Sequence, residues 1–347
     1  SVLEITFVRA LNQGFTFLII GYYKELILYL VSYYLFILIF VFVLYLFKSL
    51  TNHPLVAYLV FIFLNFFLSP FMVTFIDLVP DFGYVSIVQA GFMGIGAYST
   101  ALMGIHFNMP VWLSITLAPF VTAFFALLTG YPSLRVKGHY FAIVTLAFNM
   151  VIFIVLMNFH QLTQGEAGIT GIPKPGGREG LLNWRDRETY YYFVLIIAVL
   201  TTILAALIVR SRVGQTLVAI RQNEGLVGAI GIAAWKYKLF AFVISAMFGG
   251  LAGAVYAHYQ SFINPEIFGV AQSLDAILAV IVGGSGTISG PVIGAFFVVF
   301  LPEYLRFADS FRLILYGLVL VLATIFMPRG IVGVTSDLVS KWQSRKK

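Results

Sequence analysis

The sequence predicts an all-α fold: a polytopic integral membrane protein of about ten transmembrane helices, with a broken or re-entrant element near residues 283–291. Three observations carry that prediction. Of 347 residues, 61% are hydrophobic and only 10% charged, whereas soluble domains carry about a quarter charged residues. Apolar runs recur at the length of about 20 helical residues needed to cross about 30 Å of hydrocarbon. Strand-like alternation does not recur along the chain.

Taken in order, the hydrophobic segments fall at 26–47, 55–76, 84–105, 110–130, 139–159, 190–209, 239–258, 270–283, 290–302 and 311–327. The opening stretch SVLEITFVRALNQGF does not read as a cleavable signal, because Glu4 precedes Arg9 and no clear cleavage site follows. The third segment carries QAGFMGIGAYSTA, rich in small residues, and the seventh carries AMFGGLAGA (246–254). In the latter, Gly249 and Gly253 have the small-xxx-small spacing that lets helix backbones approach closely. Helix packing is the role read for both. Ser86-Ile87 before Gly94 and Ala97 weakly echoes Thr287-Ile288 before Gly294 and Ala295, a hint of an internal repeat.

The stretch 267–301 is too long for one span and short for two full ones, and GGSGTISGP (283–291) interrupts it. Gly283, Gly284, Gly286 and Pro291 there would free backbone groups that must be satisfied in protein or in a wet cavity. Two readings follow: a tight turn between two short buried helices, or a broken element beside a translocation path. Asp275 is the clearest ionisable group inside a predicted span, and such groups are functional candidates. It either lines a substrate path and fixes the neighbouring break, or sits paired or solvated at the interface.

The net charge of +7 is explained by membrane topology rather than nucleic-acid binding, because Lys and Arg concentrate in cytoplasmic loops. With both termini inside, fourteen of the 21 Lys and Arg fall on the cytoplasmic side, among them Arg210, Arg212, Arg221, Lys236 and Lys238. The absence of cysteine excludes a disulfide framework and thiolate metal sites. No G-x-x-x-x-G-K-[ST] loop is present to cradle nucleotide phosphates. His53, His106, His139, His160 and His258 show no paired metal spacing, so no metal site is expected; each reads as a helix end or a satisfied partner.

Residues 210–238, RSRVGQTLVAIRQNEGLVGAIGIAAWKYK, form a long charged loop among membrane-like segments. Taken as one helix, Val213, Leu217, Ile220 and Val227 share a face with Glu224. Gly225, Gly228 and Gly231 would break or bend that helix. A bent helical pair carrying a carboxylate among apolar residues suits a groove on a soluble partner. An interfacial helix held to anionic lipid by Arg210, Arg212 and Arg221 is the other physical reading.

At this point the chain resembles the LivM-type inner-membrane permeases of branched-chain amino-acid ABC transporters. The likeness spans Val85 to Gly333 and comprises SIVQAGFMGIGAYSTALM, SLRVKGHYFAIVTLAF, LTQGEAGITGIP, SRVGQTLVAIRQNEGLVGAIGIAAWKYKLFAFVISAMFGGLAGAVYA, INPEIFGVAQSLDAILAVIVGGSGTISGPVIGA and MPRGIVG, in that order. The resemblance divides the chain into residues 1–54 with the first membrane helix, an ABC-importer permease core at 55–333 and a basic cytoplasmic tail at 334–347. It implies a LivH-like second permease, two ATP-binding subunits that hold ATP and Mg, and an extracytoplasmic binding protein that delivers a small-molecule substrate. This chain would itself bind no cofactor and catalyse no bond chemistry. The resemblance also reads RQNEGLVGAIGI as the ATPase-coupling segment, with Arg221, Glu224, Gly228 and Gly231 as its marked residues.

Departures from the family pattern are Gly225, Leu226 and Val227 after the acid, Asp275 where Glu is common, TFIDLVPDFGYVS in place of a glycine-rich run, and a poor match over 1–54. Competing expectations are the same machine for urea, a short amide or another amino acid, an ion-coupled secondary transporter, and a membrane scaffold.

Overall fold

The computed structural model describes residues 86–136, 138–175 and 187–284, with isolated residues beyond them between 290 and 333. All of these belong to one compact unit, Ala57–Lys347. The predicted spans at 26–47 and 55–76, most of 311–327 and much of 290–302 lie outside the described residues, as do Gly286 and Pro291.

The described chain is helical. α1 spans Gln89–His106, α2 Val111–Ser133, α3 His139–Asn158 and α4 Arg187–Arg210. They are followed by α5 at Arg212–Gln222, α6 at Glu224–Ala229, α7 at Ala234–Gln260 and α8 at Val270–Gly283. Strands β1 (Ile169–Thr170) and β2 (Phe262–Ile263) pair antiparallel, with Ile169 opposite Ile263, a small addition to the expected all-α plan.

Among the described residues, α2, α3 and α7 are long and apolar enough to cross a membrane, or four spans if the bent pair at 196–222 counts as one. α1 and α8, both predicted as spans, do not join them. α8 has only 14 residues, about 21 Å of helix against about 30 Å of hydrocarbon. α1 is diluted by glycine and by polar residues such as Gln89 and Thr100, and is buried at twelve of its 18 positions, so protein rather than lipid surrounds most of it.

α1, α2 and α7 pack mutually, and α3 lies against α1. The close approach of α1 to α7 is made possible by missing side chains. A Cβ on Gly96 would strike the backbone of Gly250, and one on Gly253 would strike the Met93 carbonyl and the Ala97 nitrogen. Gly249 is buried on the same helix. Above this seam Met93, Ala97, Tyr98, Leu156, Tyr256 and Phe268 form one apolar cluster; Phe92, Phe141 and Phe242 anchor another, with edge-to-face rings 5.4 and 6.3 Å apart. The outward faces of α2, α3 and α4 expose Phe120, Phe124, Ile143, Ile154 and Leu207. So much contiguous apolar surface is what a lipid-facing wall requires and a water-facing one avoids.

α2 keeps Pro119 and Pro132 inside it. Thr122, Thr129 and Ser133 fold their hydroxyls onto carbonyls one turn earlier at 2.9, 3.0 and 2.6 Å, which satisfies polar groups without water. The segment 165–175 is strapped to the bundle by His258, which is fully buried. Its Nδ1 lies 2.7 Å from the Pro173 carbonyl, which only accepts, so Nδ1 carries the proton; Nε2 then accepts from the Thr100 hydroxyl at 2.9 Å.

Candidate functional site: the segment between the bent helix and α7

Within residues 210–238 lie two short helices, as a bent helical pair would have them, and α7 begins at Ala234, earlier than the 239 expected for that span. Ser211 starts the first of them. Its extended backbone (φ −70°, ψ 169°) interrupts α4, the chain turns by 64°, and its hydroxyl accepts from the Gly214 N–H at 3.4 Å. The turn is so tight that a Cβ at position 214 would meet the Val209 carbonyl, which is why glycine stands there.

The second break falls at Asn223, not at the glycines. Asn223 is extended (φ −160°, ψ 101°) and its side chain caps α6 by accepting from the Leu226 N–H at 3.0 Å. Gly225 and Gly228 lie inside α6, while Gly231 ends the segment in the left-handed region (φ +85°), where glycine is favoured. The single continuous face expected for 213–227 is therefore cut at Asn223. Leu217, Ile220 and Val227 do face inward, whereas Glu224 turns to Lys238.

That pair fixes the segment. Lys238 Nζ donates to Glu224 Oε2 at 2.8 Å, with the lysine side chain only 7% exposed and the glutamate 29%. Glu224 also occupies the first turn of α6, where a negative charge is favoured by the helix dipole. Arg221 is half-buried at the end of α5. Around this base the surface is apolar: Leu226 is 66% exposed and Ile230 74%. Gly228 is exposed between them, with open space where a Cβ would stand. Arg221, Glu224, Gly228 and Gly231 fall on α5, on α6 and in the turn after it, while the large side chains presented outward are Leu226 and Ile230, which the sequence reading did not mark. Their signal was available as two apolar residues four apart, at 226 and 230, the spacing of one helical face.

The family model described as branched-chain amino acid transport system, permease component, matches residues 76–324. The chain belongs to this family. It is 32% identical over 274 residues to the high-affinity branched-chain amino acid permease LivM of Salmonella typhimurium, covering 73% of this chain and 64% of that protein. Escherichia coli LivM is 31% identical over the same shares. The ribose import permease RbsC of Haemophilus influenzae is 33% identical over 122 residues, 33% of this chain and 38% of that one. This chain therefore spans 64% of the length of the LivM proteins it matches. No solved structure matches it.

The second predicted element lies apart in sequence from this segment. α8 ends at Gly283, and Gly284 turns the chain with φ +116°. The backbone then folds back so closely that a Cβ on Gly283 would strike Gly290, and one on Gly294 would strike the Ala279 carbonyl. Ala279, Val282, Ala295 and Val298 pack in one apolar cluster; residues 285–289, on which the choice between a tight turn and a broken element falls, lie outside the described residues. Asp275 is half-buried midway along α8.

Proposed function

We propose that this chain is a membrane-spanning permease subunit of an ABC importer that carries branched-chain amino acids, and that α5 and α6 are its docking surface for an ATP-binding subunit. The observation that carries the docking claim is the exposed apolar pair Leu226 and Ile230, on α6 and at its C-terminal end, on a helix that Glu224 ties to Lys238 of α7. Exposed apolar residues cost solubility unless a partner covers them, and an exposed glycine inside a helix forfeits about 1 kcal/mol relative to alanine. Both features suit a groove that needs close approach.

In this reading the importer contains a second, LivH-like permease, two ATP-binding subunits that hold ATP and Mg, and a binding protein outside the cytoplasmic membrane. Both termini face the cytoplasm. Hydrolysis occurs on the partners; this chain contributes two conformational states whose balance the partners shift. The 64° bend at Ser211 is where motion of α5 would pass to α4.

ATP-dependent uptake of radiolabelled leucine by the complete complex in proteoliposomes tests the reading. Uptake abolished by Leu226→Asp with Ile230→Asp, in a chain that still inserts, is expected; uptake unaffected by that pair would remove the docking claim. The ribose permease relative favours a second reading, the same machine for another small solute. Ribose uptake in place of leucine uptake would establish it.

A further inference from the structure

α1 begins inside the bundle, and its first turn is met by polar side chains from other helices. The Ile87 N–H donates to Thr145 Oγ1 of α3 at 3.1 Å, the Ala90 N–H to Ser273 Oγ of α8 at 2.9 Å, and the Gly91 N–H to Asn149 Oδ1 of α3 at 2.7 Å. Gln89 Nε2 donates to Ser245 Oγ of α7 at 3.0 Å. Asn149 and Ser245 both sit about halfway along their helices, of 20 and 27 residues. The node is therefore near the middle of the hydrocarbon layer if those helices span it.

Among the described residues, three polar atoms of the node have no partner: Ser86 Oγ, Gln89 Oε1 and Asn149 Nδ2. Their residues are 0%, 2% and 0% exposed. The Asn149 amide cannot be turned round to explain this, because its oxygen is required by the Gly91 N–H. Gly91 itself admits the arrangement, since a Cβ there would press on Asn149 Oδ1 at 2.8 Å. Buried polar groups left unpaired are expensive, most of all away from water, and a cluster of them calls for an occupant in another state.

We propose that this node is the subsite that receives the polar head of the transported solute, closed in the present conformation, and that it takes the paired ammonium and carboxylate of a small zwitterion. The Asn149 amide N–H and the Ser86 hydroxyl are donors for the carboxylate, whose charge the positive end of α1 also favours although its N–H groups are already paired; Gln89 Oε1 accepts from the ammonium. No charged side chain is needed, which suits a solute of no net charge. The proposal rests on the importer reading above.

This sequence holds no cysteine, so labelling of one introduced thiol is read on this chain after the subunits are separated by electrophoresis. A Ser86→Cys chain in the complete complex, reconstituted in proteoliposomes, is exposed to a small charged thiol reagent without nucleotide, during ATP turnover, and in a vanadate-trapped state. Ser114→Cys, at a buried site outside the node, is the control. Labelling of Ser86→Cys in at least one of these states, slowed by leucine, with Ser114→Cys unlabelled, is the expected result. No labelling in any state while leucine uptake continues overturns the node and leaves the importer reading standing. Labelling slowed by ribose and not by leucine keeps the node as a solute site but overturns the zwitterion and the amino-acid reading together. Labelling that neither solute slows assigns the node to water and overturns the proposal. An Asn149→Leu chain that assembles with its partners and hydrolyses ATP, yet loses leucine uptake, would agree with the expected result; undiminished uptake would contradict it.

Discussion

Lys238 and Glu224 illustrate how a charge pair in a nearly all-apolar chain is placed. Lys238 is buried at the start of a membrane helix and Glu224 stands in the first turn of the short helix beside it, so each charge has a partner. Removing either group breaks the 2.8 Å pair. Lys238→Met or Glu224→Gln is expected to cost about 1–3 kcal/mol, read as a lower melting temperature of the detergent-purified chain. The double variant should lose less than the sum of the singles; additive losses would show that the two do not interact. The glycines divide by what they touch. Gly253→Leu should prevent α1 and α7 from closing and give an aggregated elution profile. Gly228→Ala, with open space around it, should leave the fold intact and weaken ATPase binding. At this scale the sequence showed less than the structure. Gly253 announced itself by spacing, whereas Asn149 and Gln89 did not, because a lone amide in an apolar run carries no periodic signal. Their significance arises only when four helices bring them together.

At the scale of elements, spans surrounded mainly by lipid were the most legible. The segments read at 110–130 and 139–159 are observed at Val111–Ser133 and His139–Asn158, since an apolar run has to end where the hydrocarbon does. The segment 210–238 was harder because its apolar period is short and crossed by glycines that look like breakers. What decides its breaks is capping: Ser211 and Asn223 each begin a helix, while Gly225 and Gly228 are tolerated within one. Asn223→Ala is accordingly expected to cost about 1 kcal/mol and to raise amide exchange across residues 224–230 with little effect on α7. Unchanged exchange there would mean that α6 is held by its packing alone. The His258 strap is a similar element-level device, joining α7 and α1 to the 165–175 segment. His258→Leu should increase exchange at 169–173 while α7 stays protected.

At the scale of the whole molecule, three features point the same way. Composition and apolar surface require a bilayer, the family match makes the chain a transport permease component, and α6 offers an apolar, rigidly mounted surface at its edge. Fold class was readable from composition because lipid imposes one requirement on the entire chain. Solute identity was not, because permeases named for branched-chain amino acids and for ribose both match this chain. The central claim is that this chain works as a subunit docked through α6. The most direct test is purification of the tagged chain from its native membrane, beside the Leu226→Asp, Ile230→Asp chain, with mass spectrometry of the proteins that accompany each. The account predicts a second permease and ATP-binding proteins with the unaltered chain, and loss of the ATP-binding proteins from the variant while the second permease stays. Recovery of the unaltered chain alone and active, or ATP-binding proteins retained in full by the variant, would contradict it.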